Sequence, residues 1–163
     1  MLRLTWISAI VVLFDQITKI IAHRELNQYA PIEVIPNYFN WFLAYNEGAA
    51  FSFLASAGGW QRWFFIILTV VVSALVIYWM KNLKEDEKTA AVGFALILGG
   101  AIGNLIDRVY LGKVIDFIQV HYQNIYYWPT FNIADSAITL GAAILIADGI
   151  AGSRKTNSEQ KDN

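Results

Sequence analysis

Two aspartates stand in apolar surroundings, where an ionisable side chain calls for an explanation. Asp116 has apolar neighbours on both sides, and Asp135 lies at the start of an apolar stretch. Two carboxylates that lie close together share one proton, because like charges at short range cannot both ionise cheaply. One can then act on a water molecule as general base while the other acts as general acid. Asp116 and Asp135 are candidates for such a catalytic pair, although their spacing in the sequence does not by itself bring the two segments together.

A second polar group ends another apolar stretch. Asn104 shares one helix face with Asp107 (i, i+3) and with Arg108 (i, i+4), and Asn132 shares a face with Asp135 (i, i+3). We predict that Asn104, Arg108 and Asn132 support a polar backbone substrate with hydrogen bonds and positive charge, and that Asp107 has a structural role. The plainer alternative is a helix-packing seam that ends in ordinary interfacial charges.

A run of small residues follows Asn46 in the segment Asn46-Glu47-Gly48-Ala49-Ala50-Phe51. Small residues allow the backbone to approach a ligand closely. We predict that Asn46 and Gly48 contribute to substrate binding. The alternative is a simple turn.

Asp15 and Lys19 interrupt the first apolar stretch at positions i and i+4. This spacing places them on one helix face, where they can form an ion pair. An ionisable side chain within a membrane is a functional candidate by default. The interpretation that we favour is structural, in which the pair orients the first helix against its neighbours.

The sequence lacks the residues and motifs that several other kinds of catalysis require. The chain has no cysteine, which excludes a thiol nucleophile and a disulfide framework, and its two histidines are too few for a histidine-rich metal site. The sequence contains no GxSxG, HExxH or phosphate-binding glycine motif. We therefore predict neither a metal nor a cofactor. The net charge of −1, without a basic patch, predicts no nucleic-acid partner.

The composition indicates which solvent surrounds these residues. Of the 163 residues, 56% are hydrophobic and only 15% are charged, against ~25% charged in an average soluble protein. Four apolar stretches approach the ~20 residues that a helix needs to cross a bilayer. The sequence thus predicts an all-α integral membrane protein with spans at about 4–22, 63–80, 89–107 and 132–150.

The third span also carries a pattern of small residues that favours close helix packing. Ala95, Gly99 and Gly103 recur every four residues in the third span. Small residues at this spacing let two membrane helices approach closely. We predict that this face of the third span packs against another helix.

Lysine and arginine are unevenly distributed between the two sides. One side, which carries both termini, has seven: Arg3, Lys81, Lys84, Lys88, Arg154, Lys155 and Lys161. The other side has Arg24, Arg62, Arg108 and Lys113 in two much longer loops. Because cytoplasmic loops carry the excess of positive charge, both termini should be cytoplasmic.

The two outer loops, at 23–62 and 108–131, are long and aromatic. Alternating segments at Asn40–Asn46 and Val114–Val120 favour short strands. We therefore predict a small β-containing cap on the membrane as part of a single domain at 1–151. The polar end at 152–163 is expected to be a disordered cytoplasmic tail.

Five sequence blocks, in order along these spans, resemble the bacterial lipoprotein signal peptidases (signal peptidase II). The resemblance extends over the whole chain except the tail. The blocks are Asp15-Gln-Ile-Thr-Lys19, Asn46-Glu-Gly-Ala-Ala-Phe51, Gly99-Gly-x-x-Gly-Asn-x-x-Asp-Arg108, Val114-Ile-Asp-Phe117 and Phe131-Asn-x-Ala-Asp135. Any one block is weak evidence, whereas all five in order are specific.

The resemblance implies an aspartic endopeptidase of the bacterial inner membrane, with its active site and β-containing cap at the periplasmic face. It implies that Asp116 and Asp135 are the catalytic dyad. The implied substrate is a prolipoprotein whose cysteine carries a diacylglyceryl group, and cleavage occurs just before that cysteine. Membrane lipids and cyclic-peptide inhibitors such as globomycin are the further implied partners. The supporting polar residues of the family correspond to Asp15, Lys19, Asn46, Gly48, Asn104, Asp107, Arg108 and Asn132.

An alternative from another functional class is a small proton- or ion-coupled transporter subunit that uses Asp15 and Asp135 as carboxylate relays. Transport sites tend to lie near the middle of the bilayer. Asp107, Asp116 and Asp135 all fall at the outer end of their segments, which argues against this reading. A non-catalytic assembly factor, the third reading, leaves the clustered polar residues unexplained.

Overall fold

The computed structural model describes residues 1–48 and 59–159, with side chains to residue 152. A 3-10 turn at Leu2–Leu4 leads into the first helix. The elements are α1 (Thr5–Glu25), β1 (Ile32–Ile35), β2 (Phe39–Asn46), α2 (Trp60–Asn82), α3 (Lys88–Tyr110), β3 (Val114–Tyr122), β4 (Tyr126–Tyr127) and α4 (Ile133–Glu159).

Four helices in the described part of the chain are long and apolar enough to cross a membrane, and they coincide with the four predicted spans. Large apolar side chains face outward on them: Phe14 is 59% exposed, Trp63 63% and Ile146 65%. Outward apolar side chains are expected where the surrounding solvent is lipid. The protein is therefore a multi-pass membrane protein, as predicted.

The helices extend past the predicted ends of the spans. α2 includes Gln61 and Arg62 before its apolar core and Lys81 and Asn82 after it. These residues continue the helix without being apolar, so hydropathy alone misses them. α4 continues to Glu159, so residues 152–159, which we expected to be part of a disordered tail, are helical. Residues 160–163 lie outside the described part.

α3 occupies the centre of the bundle and packs against α1, α2 and α4. Just over half of its apolar window, 56%, is buried, against 17–22% in the other three helices. The small residues of α3 explain this position. A Cβ at position 99 would lie 2.7 Å from Val11 Cβ, and one at position 103 would lie 2.5 Å from Asp15 Oδ2. Only glycine fits at either place, which confirms the predicted packing seam and assigns it to α1.

The two predicted strands are also present, and they form the middle of a four-stranded antiparallel sheet in the order β1-β2-β3-β4. An irregularity in the β2–β3 ladder lies between Trp41 and Ala44, after which Ala44 pairs with Asp116 and Asn46 with Val114. This register places the end of β2 beside the beginning of β3. The sheet thereby holds Asp116 against the ends of α3 and α4.

Candidate active site

Asn132 joins the two aspartates that the sequence singled out. Its side-chain Nδ2 donates to Asp116 Oδ1 at 2.7 Å, and its backbone N–H donates to Asp135 Oδ2 at 3.2 Å. In return, the backbone N–H of Asp135 donates to Asn132 Oδ1 at 2.9 Å, which closes the first turn of α4. The side chain of Asn132 is fully buried. The structure therefore brings Asp116 and Asp135 to one place, which the sequence could not show.

Two further amides contact the carboxylates. Asn104 Nδ2 donates to Asp135 Oδ1 at 2.8 Å, and Asn46 Nδ2 donates to Asp116 Oδ2 at 3.3 Å. Each oxygen of the pair thus has a donor, from three asparagines that lie on β2, on α3 and just before α4. All of these residues belong to the predicted set.

Burial and charge alter the acidity of Asp116. The residue is 2% exposed. Burial, and next the nearby charge of Asp135, together raise the pKa of Asp116 to about 7, although the hydrogen bonds from Asn46 and Asn132 and the charge of Lys19 lower it. A carboxyl group with this pKa can hold a proton at neutral pH and release it when its surroundings change. This is the property that a general acid or a general base requires.

A buried cluster of charges lies behind the pair. Lys19 Nζ is 2.9 Å from Asp15 Oδ2, as predicted from their spacing, and 3.0 Å from Asp107 Oδ2. Gln16 Nε2 donates to Asp15 and to Asp107 at 3.2 and 3.0 Å. Sequence analysis missed Gln16, because a glutamine next to an ion pair carries no pattern of its own. Asp107 Oδ2 also accepts from the backbone N–H of Ile115 at 3.0 Å, so the cluster also holds the start of β3.

Arg108 lies beside the pair rather than on it. Its Nη2 donates to the carbonyl oxygen of Gly48 at 2.9 Å, and its guanidinium lies 5.2 Å from the centre of the Phe65 ring. This contact places Gly48, the small residue predicted to bind substrate, at the edge of the site. The rest of that motif, at 49–51, lies outside the described residues.

Arg62, which sequence analysis did not select, holds the end of α3. Its Nε donates to the carbonyl oxygen of Arg108 at 2.9 Å and its Nη2 to that of Val109 at 2.7 Å. Carbonyls at a helix end lack partners within the helix, and a cation there is favourable. An arginine at the start of α2 gave no signal of this role, because its partner carbonyls lie 46 and 47 residues later in the chain.

A cavity of about 780 Å³ opens from the pair. Its polar end is lined by Asn46, Asn104, Arg108, Asp116 and Asp135, and it continues along the apolar side chains Ile138, Leu140 and Ala143 of α4. A second cavity of about 450 Å³ reaches Asp116 from the sheet, past Tyr45 and Gln119. The pair thus lies where a polar cavity meets an apolar groove along a membrane helix. No group of three or more acidic or histidine side chains among the described residues is arranged to hold a metal ion.

Comparison with known proteins assigns this arrangement to a family. The family described as Signal peptidase (SPase) II matches residues 7–151. Lipoprotein signal peptidases of Pseudomonas putida and Pseudomonas syringae pv. tomato are 57% and 53% identical to the chain, over 88% and 96% of it and 84% and 90% of their own lengths. The chain belongs to the signal peptidase II family.

Two solved structures support the same assignment of fold. Both are bacterial membrane enzymes determined by the in meso method, at 2.3 and 1.9 Å resolution. They match with TM-scores of 0.79 and 0.73 at 35% and 36% sequence identity, over 91% and 88% of this chain and 87% and 89% of theirs. As a member of the signal peptidase II family, the protein is an aspartic peptidase, as the sequence predicted. The transporter alternative has no support.

Proposed function

We propose that this enzyme removes the signal peptide from prolipoproteins, with Asp116 and Asp135 as its catalytic dyad. The observation that carries the proposal is the bridge through Asn132, which holds the two carboxylates together at the head of an apolar groove. The names of the relatives supply the substrate class, and the dyad supplies the chemistry.

The reaction requires one proton to be taken and another to be given. One aspartate removes a proton from a water molecule, whose oxygen attacks the carbonyl carbon of the scissile bond. The tetrahedral intermediate then collapses as the other aspartate protonates the departing nitrogen. The C–N bond breaks to leave a signal-peptide carboxyl group and a free amino group, and proton exchange with solvent restores the dyad. The dyad needs neither a metal ion nor a covalent intermediate for this sequence.

Arg108 and the asparagines support this chemistry. Asn104, Asn132 and Asn46 donate to the dyad. Of these, Asn104 and Asn46 line the cavity, where a substrate carbonyl would meet them, whereas Asn132 is fully buried behind the carboxylates. Arg108 lines the cavity beside them. Hydrogen-bond donors fixed in a buried site stabilise developing negative charge on a carbonyl oxygen.

The groove along α4 supports a lipidated substrate. Ile138, Leu140 and Ala143 line it, and a diacylglyceryl chain on the substrate cysteine fits this apolar surface within the bilayer. Acyl chains held there would place the peptide bond just before that cysteine at the dyad. Binding energy from a remote part of the substrate would then orient the reacting bond.

The distribution of positive charge supports the location. With the protein in a bacterial inner membrane and both termini on its cytoplasmic side, the dyad and the sheet lie at the periplasmic face. The sheet would then form a periplasmic cap over the substrate. Membrane lipids contact the outward apolar side chains, and cyclic-peptide inhibitors such as globomycin would occupy the cavity at the dyad.

The test uses purified enzyme in detergent with two precursors of identical sequence, one lipidated on its cysteine and one not. We expect the lipidated precursor to be cut immediately before the cysteine and the other to be cut at least tenfold more slowly, because only the first is held in the groove. Equal rates would contradict the role of the lipid and favour a general membrane peptidase. No cleavage of either would contradict the function.

A further inference from the structure

Lys19 is buried behind the dyad with every proton of its ammonium group in use. The side chain is 1% exposed, and its Nζ contacts Asp15 Oδ2 at 2.9 Å, Asp107 Oδ2 at 3.0 Å and Asn104 Oδ1 at 2.9 Å. The first two contacts pair its charge within the bundle. The third leaves the ion pair and reaches a residue that touches the dyad.

This third contact fixes the orientation of Asn104. A lysine ammonium can only donate hydrogen bonds, so the side chain of Asn104 must turn its oxygen toward Lys19. The same oxygen accepts a second bond from Asn132 Nδ2 at 3.2 Å. The amide nitrogen of Asn104 then faces Asp135 Oδ1, to which it donates at 2.8 Å. A flipped amide would present an oxygen to the carboxylate and a nitrogen to the ammonium.

The two aspartates therefore have unequal surroundings. Asp135 receives its bonds from Asn104, whose amide is polarised by the Lys19 charge, and from a backbone N–H at the start of α4. Hydrogen bonds that polarise one another strengthen, and the amino-terminal end of a helix favours an anion. Asp116 lies on a buried strand with no helix end of its own, where it accepts from Asn132 Nδ2 at 2.7 Å and, at a longer distance of 3.3 Å, from Asn46 Nδ2. The asymmetry therefore lies in the charge of Lys19 behind Asn104 and in the helix end at Asp135, and not in the number of donors.

We propose that Lys19 is a positioning residue of the reaction, which acts through Asn104 to hold Asp135 as the ionised member of the dyad. The shared proton then rests on Asp116, and Asp135 is the group that takes the proton from water. This inference rests on the proposed function and assigns the roles within it. The pKa of Asp116, raised to about 7 by burial, is in accord with a proton held there at neutral pH.

Other charges act on the dyad from each element around it. Arg108 on α3 experiences the charges of both aspartates. Asp107 on α3 and Asp15 on α1 are each paired with Lys19, and Asp116 faces Asp135 from β3. None of these groups contacts Asn104 Oδ1. Lys19 also acts on Asp116 directly through its charge, and this effect remains when Asn104 alone is changed, so a change at Asn104 tests only the path from Lys19 to Asp135.

The experiment compares pH–rate profiles of three purified variants on a lipidated precursor, with rates expressed per folded molecule. Lys19→Met removes the ammonium at similar length, and Asn104→Ala removes the relay while Lys19 keeps both carboxylates. Ser8→Ala is the matched control, because Ser8 is 4% exposed, lies on the same α1–α3 seam and donates to the Ala95 carbonyl oxygen at 2.7 Å.

We expect kcat to fall ~10-fold or more in Lys19→Met and Asn104→Ala, which is less than the ~10²–10⁴-fold contribution of an acid–base group itself, because these residues act through Asp135. The acidic limb of the kcat profile should move to higher pH by about one unit in both, because the dyad takes up its second proton more readily without the polarised donor. KM should stay within about twofold in Lys19→Met, since Lys19 does not line the cavity. Ser8→Ala should lower the melting temperature and leave the limb in place.

An unmoved acidic limb in Asn104→Ala overturns the proposal, and that variant decides alone if Lys19→Met does not fold. The proposal is also overturned if the acidic limb of the kcat profile moves equally in Ser8→Ala, because the shift would then result from looser helix packing. Failure of the proposed function has a different signature. In that case the parent enzyme does not cut the lipidated precursor, or Asp135→Asn still does, whatever happens at Lys19.

Discussion

Asp15 on α1 accepts a hydrogen bond at 2.9 Å from the backbone N–H of Ala134, the residue before Asp135 on α4. The N–H groups of a first helical turn have no partner within the helix, and a carboxylate there stabilises them. Here the cap comes from another helix, 119 residues away in sequence. Asp15 thereby holds the amino-terminal end of α4 through Oδ1, while its Oδ2 pairs with Lys19.

Asp15→Asn should lower stability more than activity. The change removes one partner of a buried ion pair, which typically costs ~3–5 kcal/mol, and weakens the cap on α4. Activity per folded molecule should fall less than in either dyad variant, because Lys19 retains Asp107 and Asn104. Melting temperature and turnover measured on the same preparation check this. A variant that melts like the parent and has no activity would show that Asp15 acts in the reaction itself.

Asp116→Asn and Asp135→Asn should each abolish practical turnover. Asparagine has nearly the shape of aspartate but cannot exchange a proton, and each acid–base role contributes ~10²–10⁴-fold. The double variant should be scarcely worse than either single variant, because the two groups act as one unit. The measurement is single-turnover cleavage of a lipidated precursor by variants that still fold. Near-normal turnover in either single variant removes the aspartic mechanism.

Asp116 should make stability depend on pH. Its folded-state pKa of about 7 lies above the ordinary value of 3.8, so the protonated group favours folding fully below pH 3.8, and this contribution is lost as the pH rises through 7. Each pKa unit corresponds to ~1.4 kcal/mol. The melting temperature of Asp116→Asn, measured relative to that of the parent, should therefore rise between pH 4 and pH 7. Above pH 7 the difference between the two melting temperatures should stay constant. A difference that does not change with pH would contradict the raised pKa.

Gly103→Ala should destabilise the bundle, while Gly149→Ala should not. A Cβ at position 103 would lie 2.5 Å from Asp15 Oδ2, whereas one at position 149 meets nothing within 4 Å. Overpacking of this kind costs ~1–3 kcal/mol, and an open helical site favours alanine over glycine by ~1 kcal/mol. Thermal melts of the two variants are the check, and equal melting temperatures would mean that α1 and α3 can separate at no cost.

The orientation in the membrane is tested by reporter fusions. A fusion after Asn37 or after Gln123 should report a periplasmic location, and one after Lys84 a cytoplasmic location, because positive charge is concentrated on the side of the termini. A cytoplasmic signal from Gln123 would contradict the assignment of the second outer loop. A fusion after Asp86, in the same short turn as Lys84, is the matched control and should agree with it.

Local spacing by itself determined most of the architecture of this protein. The four spans, the middle strands of the sheet, the Asp15–Lys19 pair and the small-residue seam all follow from neighbours within a few residues, since helix and strand periodicity fix which side chains share a face. What the seam packs against was not determined. That depends on how α1 crosses α3, and only the folded chain has that geometry.

The site itself was decided by tertiary structure. Asp116 and Asp135 meet because the register of β3 against β2 and the packing of α4 against α3 bring both to Asn132, and neither relationship has a periodic signal in the sequence. The contact of Lys19 with Asn104 joins residues 85 positions apart. Gln16 and Arg62 passed unnoticed for the same reason. A sequence shows which polar side chains stand in otherwise apolar segments. The residues that they contact depend on how the helices cross and on the register of the strands.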